Sequence, residues 1–334
     1  MTRIGFHASH EQIEPRALLE AVALAEEIGF TDAMGSDHFA PWSEEQGESA
    51  FSFAWMGAAL ERAKSMLIGQ VHAPGQRIHP AISAQAIATL EAMNPGRYWV
   101  ALGSGENLNE RITGDPWPPK EVRNARLREC VDVIRAMLAG EEVTHDGLVR
   151  VDHARLWTRP DAPPPVLATA VTPETAAWAA EWADGLITVN QSDEKLRRVS
   201  DAYRDAGGRG DVLVQIHVSW AHTEQEALDS AFHEWRTNVF APPLCWDLDS
   251  PRAFAQAAAH VRPDDVRASV VVTDSADHVV ESVGRMLDTG YDGAYIHHVP
   301  VEQRPFLEQV APRILAAFTE RAEPAGAVPM GARA

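Results

Sequence analysis

The feature that most narrows the folds open to this chain is a repeated unit, a short apolar run that ends in polar residues and is followed by a helical pattern. Such runs occupy Arg3–His10, Thr31–His38, Ser65–Ala73, Arg97–Gly105, Val166–Val171, Gly185–Asn190, Val212–Trp220 and Gly293–His298. Between them apolar residues recur at helical spacing, as in Leu18, Ala21, Val22, Ala25 and Ile28, or Leu127, Cys130, Val131, Ile134, Met137 and Leu138. Eight such units with no break in composition predict an α/β chain folded as a (β/α)8 TIM barrel with insertions, one domain over residues 1–320. A doubly wound open sheet is the alternative, because sheet closure leaves no mark on a sequence. In a barrel every strand opens at one mouth, so His7, Asp37, His38, Gln70, His72, Glu106, Asn190 and His297 are expected to converge there.

Three stretches interrupt the repeat. Residues 142–158 carry Asp146-Gly147 between two short alternating segments, which predicts a hairpin. Residues 223–264 form a long insertion with helical and proline-rich parts, and the short apolar run Ser269–Thr273 has no evident place in the repeat. The loop Thr113–Pro119 is expected to cover the mouth. Residues 321–334, rich in Ala, Gly and Pro, read as a flexible tail. A net charge of −19, from 48 acidic and 29 basic residues, argues against nucleic-acid or anionic-lipid partners. No apolar run has membrane-spanning length and no leader pattern follows Met1, so a cytoplasmic protein without membrane contact is expected. Cys130 and Cys245 have no metal-ligand spacing and read as reduced thiols.

The most informative turn is Gly103-Ser104-Gly105-Glu106, where a strand delivers a carboxylate between glycines that allow close backbone approach. Glu106 suits proton exchange, its plainer reading being a helix cap. His38 with Asp37 suits the same chemistry, against an N-cap beside a surface histidine, and Trp42 suits the rim of a pocket. His7, His72 and His297 on strands are either mouth residues or satisfied interior histidines. Trp178 and Trp182 read as core or subunit contacts. Histidines at strand ends also leave a metal-dependent TIM-barrel hydrolase open as a second alternative, although no His-x-His marks the first strand and no metal ligand is assigned.

With these residues placed, the chain resembles the luciferase-like oxidoreductases, and within them the branch of F420-dependent glucose-6-phosphate dehydrogenases. The resemblance is carried by Ser36-Asp37-His38-Phe39 with Pro41-Trp42, by Phe51–Met56, by His79–Gln85 and by Gly103–Glu110. It implies a flavin or deazaflavin in the mouth and hydride transfer to or from a small organic substrate. His38 would stabilise or relay charge near the substrate, Trp42 would pack beside the reacting centre, and Glu106 would exchange a proton near the reduced ring, with Asp37 close by. It further implies cofactor contacts from Asp37, Gln70, Val71, His72, Gly103, Ser104, Gly105, Glu106 and Asn109, and from Thr169, Ala170, Val171 and Thr172 at the phosphate loop. Two loops depart from the F420-using pattern: Ala168–Pro173 replaces a Gly-Gly-Pro loop, and Gly69–Pro74 is one residue shorter. The chain therefore also resembles a subgroup that uses FMN, and the cofactor expectation stands as FMN or coenzyme F420. His7, Trp42, Asn190 and His297 are the expected substrate contacts, with Lys195 and Arg267 as the cations a sugar phosphate would need. An FMN-dependent monooxygenase is the nearest alternative, and a homodimer is expected.

Overall fold

The computed structural model describes residues 2–319, so the tail expected over 321–334 lies outside the described residues. The strands in chain order are β1 (Arg3–Ala8), β2 (Asp32–Ser36), β3 (Leu67–His72), β4 (Tyr98–Leu102), β5 (Val143–Asp146), β6 (Arg150–Ala154), β7 (Val166–Thr169), β8 (Leu186–Val189), β9 (Val212–Trp220), β10 (Val271–Thr273) and β11 (Gly293–His298). Eight of them pair in parallel in the circular order β1-β2-β3-β4-β7-β8-β9-β11. The pairings β8–β9 and β11–β1 close the ring. This is the expected (β/α)8 barrel, and closure removes the open-sheet alternative.

The barrel closes because its two faces are filled differently. Outward residues such as Phe6, Ile68, Val100, Val166, Val214 and Ile296 belong to one continuous core beneath the surrounding helices. Inward residues Met34, Trp99, Ala101, Leu167, Ile187, Leu213 and Tyr295 form a separate plug. Two glycines make room for its largest members. A Cβ on Gly69 would stand 1.8 Å from the Trp99 ring, and one on Gly5 would stand 2.3 Å from the Tyr295 ring. The floor is therefore packed solid, and only the C-terminal end of the barrel is open to chemistry.

Local signals explain most element boundaries. Helices Pro15–Ile28, Pro80–Met93 and Pro173–Ala179 each carry proline in the first turn, where the missing N–H costs nothing. The segment after β11 forms two helices, Arg304–Gln309 and Ala311–Thr319, because Pro312 cannot donate to the preceding turn. The unplaced run at 269–273 supplies β10, which pairs with Val218–Trp220 of β9 beyond the point where β8 ends. β5 and β6 form an antiparallel hairpin outside the barrel. After β9 comes helix Glu224–Trp235, fixed at its start by a Thr223/Glu226 capping box. The short helices Leu244–Asp247 and Pro251–Ala257 follow. The loop at 113–119 is fastened to this insertion, since Trp117 Nε1 donates to Asp247 Oδ1 at 3.1 Å and the Arg123 guanidinium lies 4.2 Å over the Trp117 ring. Among the described residues no helix is long and apolar enough to cross a membrane.

Candidate active site

Successive strand residues face opposite ways, and that alternation sorts the polar strand ends. His38, just beyond β2, stands between two carboxylates: its Nδ1 is 3.6 Å from Glu11 Oε1 and its Nε2 is 3.9 Å from Glu106 Oε2. Trp42 packs edge-on against the His38 ring, centroids 4.9 Å apart, and edge-on against Phe254 of the insertion at 5.2 Å. The mouth therefore has a polar row with an aromatic wall packed against it. His7, His217 and His297, from the adjacent strands β1, β9 and β11, form an inward layer beside it. His297 lies edge-to-face with His7 at 4.9 Å and with Trp235 at 4.7 Å.

The two carboxylates flanking His38 differ in environment. Glu11 is buried, which by itself would raise its pKa. His38 and a 2.6 Å hydrogen bond from the Ser36 hydroxyl outweigh this and hold it at about 2. Glu106 is pushed up to about 7, by burial first, with His38 and Arg123 opposing and Glu11 and Glu110 adding to the rise. A quarter of the Glu106 side chain is exposed, but Oε2 is sealed from solvent without a hydrogen-bond partner. One neighbour of His38 thus stays ionised across the neutral range while the other exchanges a proton within it. The insertion reaches this point as well: the Cys245 thiol is pushed up to about 12 by burial and then by Glu106.

Several expected site residues lie elsewhere. Gly69 and Val71 face into the barrel, so Gln70 and His72 face out toward the helices. Gln70 Nε2 donates to Ser52 Oγ at 2.7 Å, and His72 Nε2 lies 2.8 Å from Ser83 Oγ. Asp37 follows them. Its sealed carboxylate Oδ2 takes His72 Nδ1 and Arg77 Nη2, each at 2.7 Å; burial is offset by His72 and Arg77, which hold Asp37 at about 2. These three residues form a scaffold under the loop that carries His38 and do not open into the mouth. Asn109 is a loop fastener as well, its Oδ1 accepting from Phe39 N at 2.9 Å and Ala40 N at 3.3 Å.

Other placements follow the same accounting. Both ring nitrogens of His297 are taken by protein groups, Nε2 by Gln12 Oε1 and Nδ1 by His217 Nδ1, each at 2.9 Å, so no nitrogen is left for a substrate. Asn190 donates to Ser269 O and accepts from His217 N, which ties β8 to its neighbours. Lys195 is exposed on helix Asp193–Asp205. Arg267 pairs with Glu224 at 2.7 Å and Asp264 at 3.4 Å on the outside of the insertion, so neither is a cation of the mouth. Thr172 spends its hydroxyl capping helix Pro173–Ala179. A Cβ on Gly103 would stand 2.5 Å from Thr169 Oγ1, and Gly105 has φ +81°, so the turn itself requires both glycines. Val71 remains inward and half-buried, Ser104 is half-buried in its turn, Ala170 is buried, and Val171 is half-buried beyond β7.

Glu11, Gln12, His217, Trp235 and Phe254 had no signal in their own segments. Glu11 and Gln12 sit in a loop after β1, and the others gain their place only when β9 and the insertion fold over the mouth. Among the described residues no group of three or more His, Cys, Asp or Glu side chains stands in a metal-ligating arrangement. In the mouth layer His217 and His297 bond to each other, and His297 to Gln12, instead.

The family model for luciferase-like monooxygenases matches residues 1–293. An F420-dependent glucose-6-phosphate dehydrogenase of Beutenbergia cavernae is 32% identical over 326 residues, covering 94% of this chain and 97% of the relative. The enzyme of that name from Mycolicibacterium smegmatis is 34% identical over 320 residues, covering 92% and 95%. Among solved structures, an F420-dependent secondary alcohol dehydrogenase in complex with an F420-acetone adduct superposes with a TM-score of 0.87 at 29% identity, covering 95% of this chain and 98% of that one. With a match of this extent, the chain belongs to the luciferase-like monooxygenase family and is, as its residues led us to expect, a cofactor-dependent barrel oxidoreductase.

Proposed function

We propose that this chain is an F420-dependent dehydrogenase that interconverts a small, uncharged secondary alcohol and its ketone. The observation that carries the reading is the row Glu11–His38–Glu106, with one carboxylate held ionised and the other poised near neutrality. F420 is favoured over FMN because the relatives at 32% and 34% identity and the superposed dehydrogenase are F420-dependent by name. The mouth suits such a group: Glu106 Oε2 and His38 Nδ1 are sealed from solvent without hydrogen-bond partners, beside the inward wall of Val71 and Ala101. Val71, Ser104, Ala170 and Val171 would hold the cofactor, which when bound supplies the hydride acceptor or donor. Near Glu106 Oε2 a proton is given or taken as the hydride moves, and His38, oriented by Glu11, takes the hydroxyl proton of the alcohol.

The aromatic wall of Trp42, Phe254 and Trp235 and the outward placement of Lys195 and Arg267 support an uncharged substrate over a phosphorylated sugar. As part of the same proposal the chain works as a cytoplasmic homodimer, in keeping with its free thiols Cys130 and Cys245; light scattering on the purified protein tests the dimer. The substrate test mixes the protein with oxidised F420 and either 2-propanol or glucose 6-phosphate, and follows the visible absorbance of F420. Bleaching with the alcohol alone is expected. Bleaching with the sugar phosphate alone, or with neither, overturns the proposal.

A further inference from the structure

A chain of hydrogen bonds runs from the insertion to the inward histidine layer and fixes where its protons lie. Gln12 Nε2 donates to Glu234 Oε2 at 2.9 Å and to the Val299 carbonyl at 2.8 Å. A main-chain carbonyl only accepts, so the amide can point one way only, and Gln12 Oε1 is an acceptor facing His297 Nε2 at 2.9 Å. His297 must therefore carry its proton on Nε2. Burial, reinforced by the neighbouring His7, His217 and His298, keeps the His297 ring neutral, so its Nδ1 is a bare lone pair. His217 Nδ1, 2.9 Å away, has to supply the proton of that contact. Burial keeps His217 neutral too, at about 3, and its second nitrogen, Nε2, is then unprotonated.

That nitrogen has no protein partner among the described residues. It is not among the sealed, unpartnered atoms, whereas His7 Nδ1 and His298 Nδ1 are. The ring is held between Trp235, with centroids 4.8 Å apart, and His297, at 5.1 Å, in the layer that borders the mouth.

We infer that His217 is a substrate-binding residue whose bare Nε2 accepts a hydrogen bond from the hydroxyl of the bound alcohol until that hydroxyl turns about its C–O bond to give its proton to His38, with Gln12 and His297 as positioning residues that fix the His217 tautomer. The inference rests on the secondary-alcohol reading above. Its consequence is selectivity of a defined kind. An alcohol hydroxyl can donate to a bare nitrogen and a ketone oxygen cannot, so His217 strengthens binding of the alcohol and leaves that of the ketone unchanged.

Two measurements test it, one of them independent of any substrate. Nitrogen-15 NMR of the histidine rings, with the His217 signals identified by their loss in His217→Phe, reads the tautomer in the protein itself. Wild type is expected to show His217 protonated on Nδ1, and Gln12→Leu is expected to mix the two tautomers. Protonation on Nε2 in wild type overturns the inference whatever the substrate. The second measurement compares dissociation constants for 2-propanol and acetone. His217→Phe is expected to weaken the alcohol about tenfold, the size of one hydrogen bond, and the ketone less than twofold. Equal weakening of both refutes the role for His217. If neither probe binds wild type, the secondary-alcohol reading fails and the assigned ligand fails with it, while the tautomer result stands on its own.

Discussion

Replacing Glu106 by Gln should make the protein more stable and nearly inactive, and the stability gain should depend on pH in a fixed direction. In the folded protein the carboxyl titrates at about 7, against 4.5 for an ordinary glutamate. Below 4.5 the group is protonated folded and unfolded, and there is no penalty. Between 4.5 and about 7 the unfolded chain ionises first, so the folded state loses ground with rising pH. Above 7 the full cost is present. At roughly 1.4 kcal/mol per pKa unit, the rise corresponds to about 3 kcal/mol. Because a quarter of the side chain meets solvent, about 2–3 kcal/mol is the expected gain for Glu106→Gln at pH 8, falling close to zero at pH 4.5. Urea unfolding of both proteins at the two pH values measures it. The same variant should lose about 10²–10⁴ in turnover, the usual worth of a positioned proton donor. An equal effect on stability at both pH values would refute the claim that a strained carboxylate is kept at the mouth for proton exchange.

Three further outcomes follow from the same geometry. Asp37→Asn leaves the Arg77 guanidinium buried with, among the described residues, only Glu110 at 3.7 Å as a charged partner and should cost about 3–5 kcal/mol in urea unfolding. Gly69→Ala drives a methyl into the Trp99 ring and should cost about 3 kcal/mol or lower the yield of folded protein, as measured by thermal unfolding. Arg267→Ala, which removes a pair outside the insertion, should leave KM for the substrate within about twofold, and a larger rise would return that cation to the substrate site.

The barrel could be read from the chain because its evidence is local. Apolar runs and helical spacing recur eight times, first-turn prolines mark several of the helices, and each repeat restates the same architecture. The mouth could be read only as far as strand ends mark it. His38 and Glu106 stand just beyond β2 and β4, where any barrel would put them. Gln70 and His72 end a strand as well, yet they face the helices. The phase of the alternation is set by Gly69, which must face inward to admit Trp99, and that contact joins residues 30 apart. Glu11 and Phe254 meet the site only through long-range packing. Lys195 and Arg267 matched a pattern by position, while the faces they occupy are decided by the packing of a barrel helix and of the insertion.

The central claim, that this barrel mouth is built for F420, is tested most directly by titrating the purified protein against F420 and, separately, against FMN while following the fluorescence of each cofactor. The account predicts saturable quenching of F420 with one site per chain and no saturable change with FMN. Saturable binding of FMN with none of F420 would contradict it.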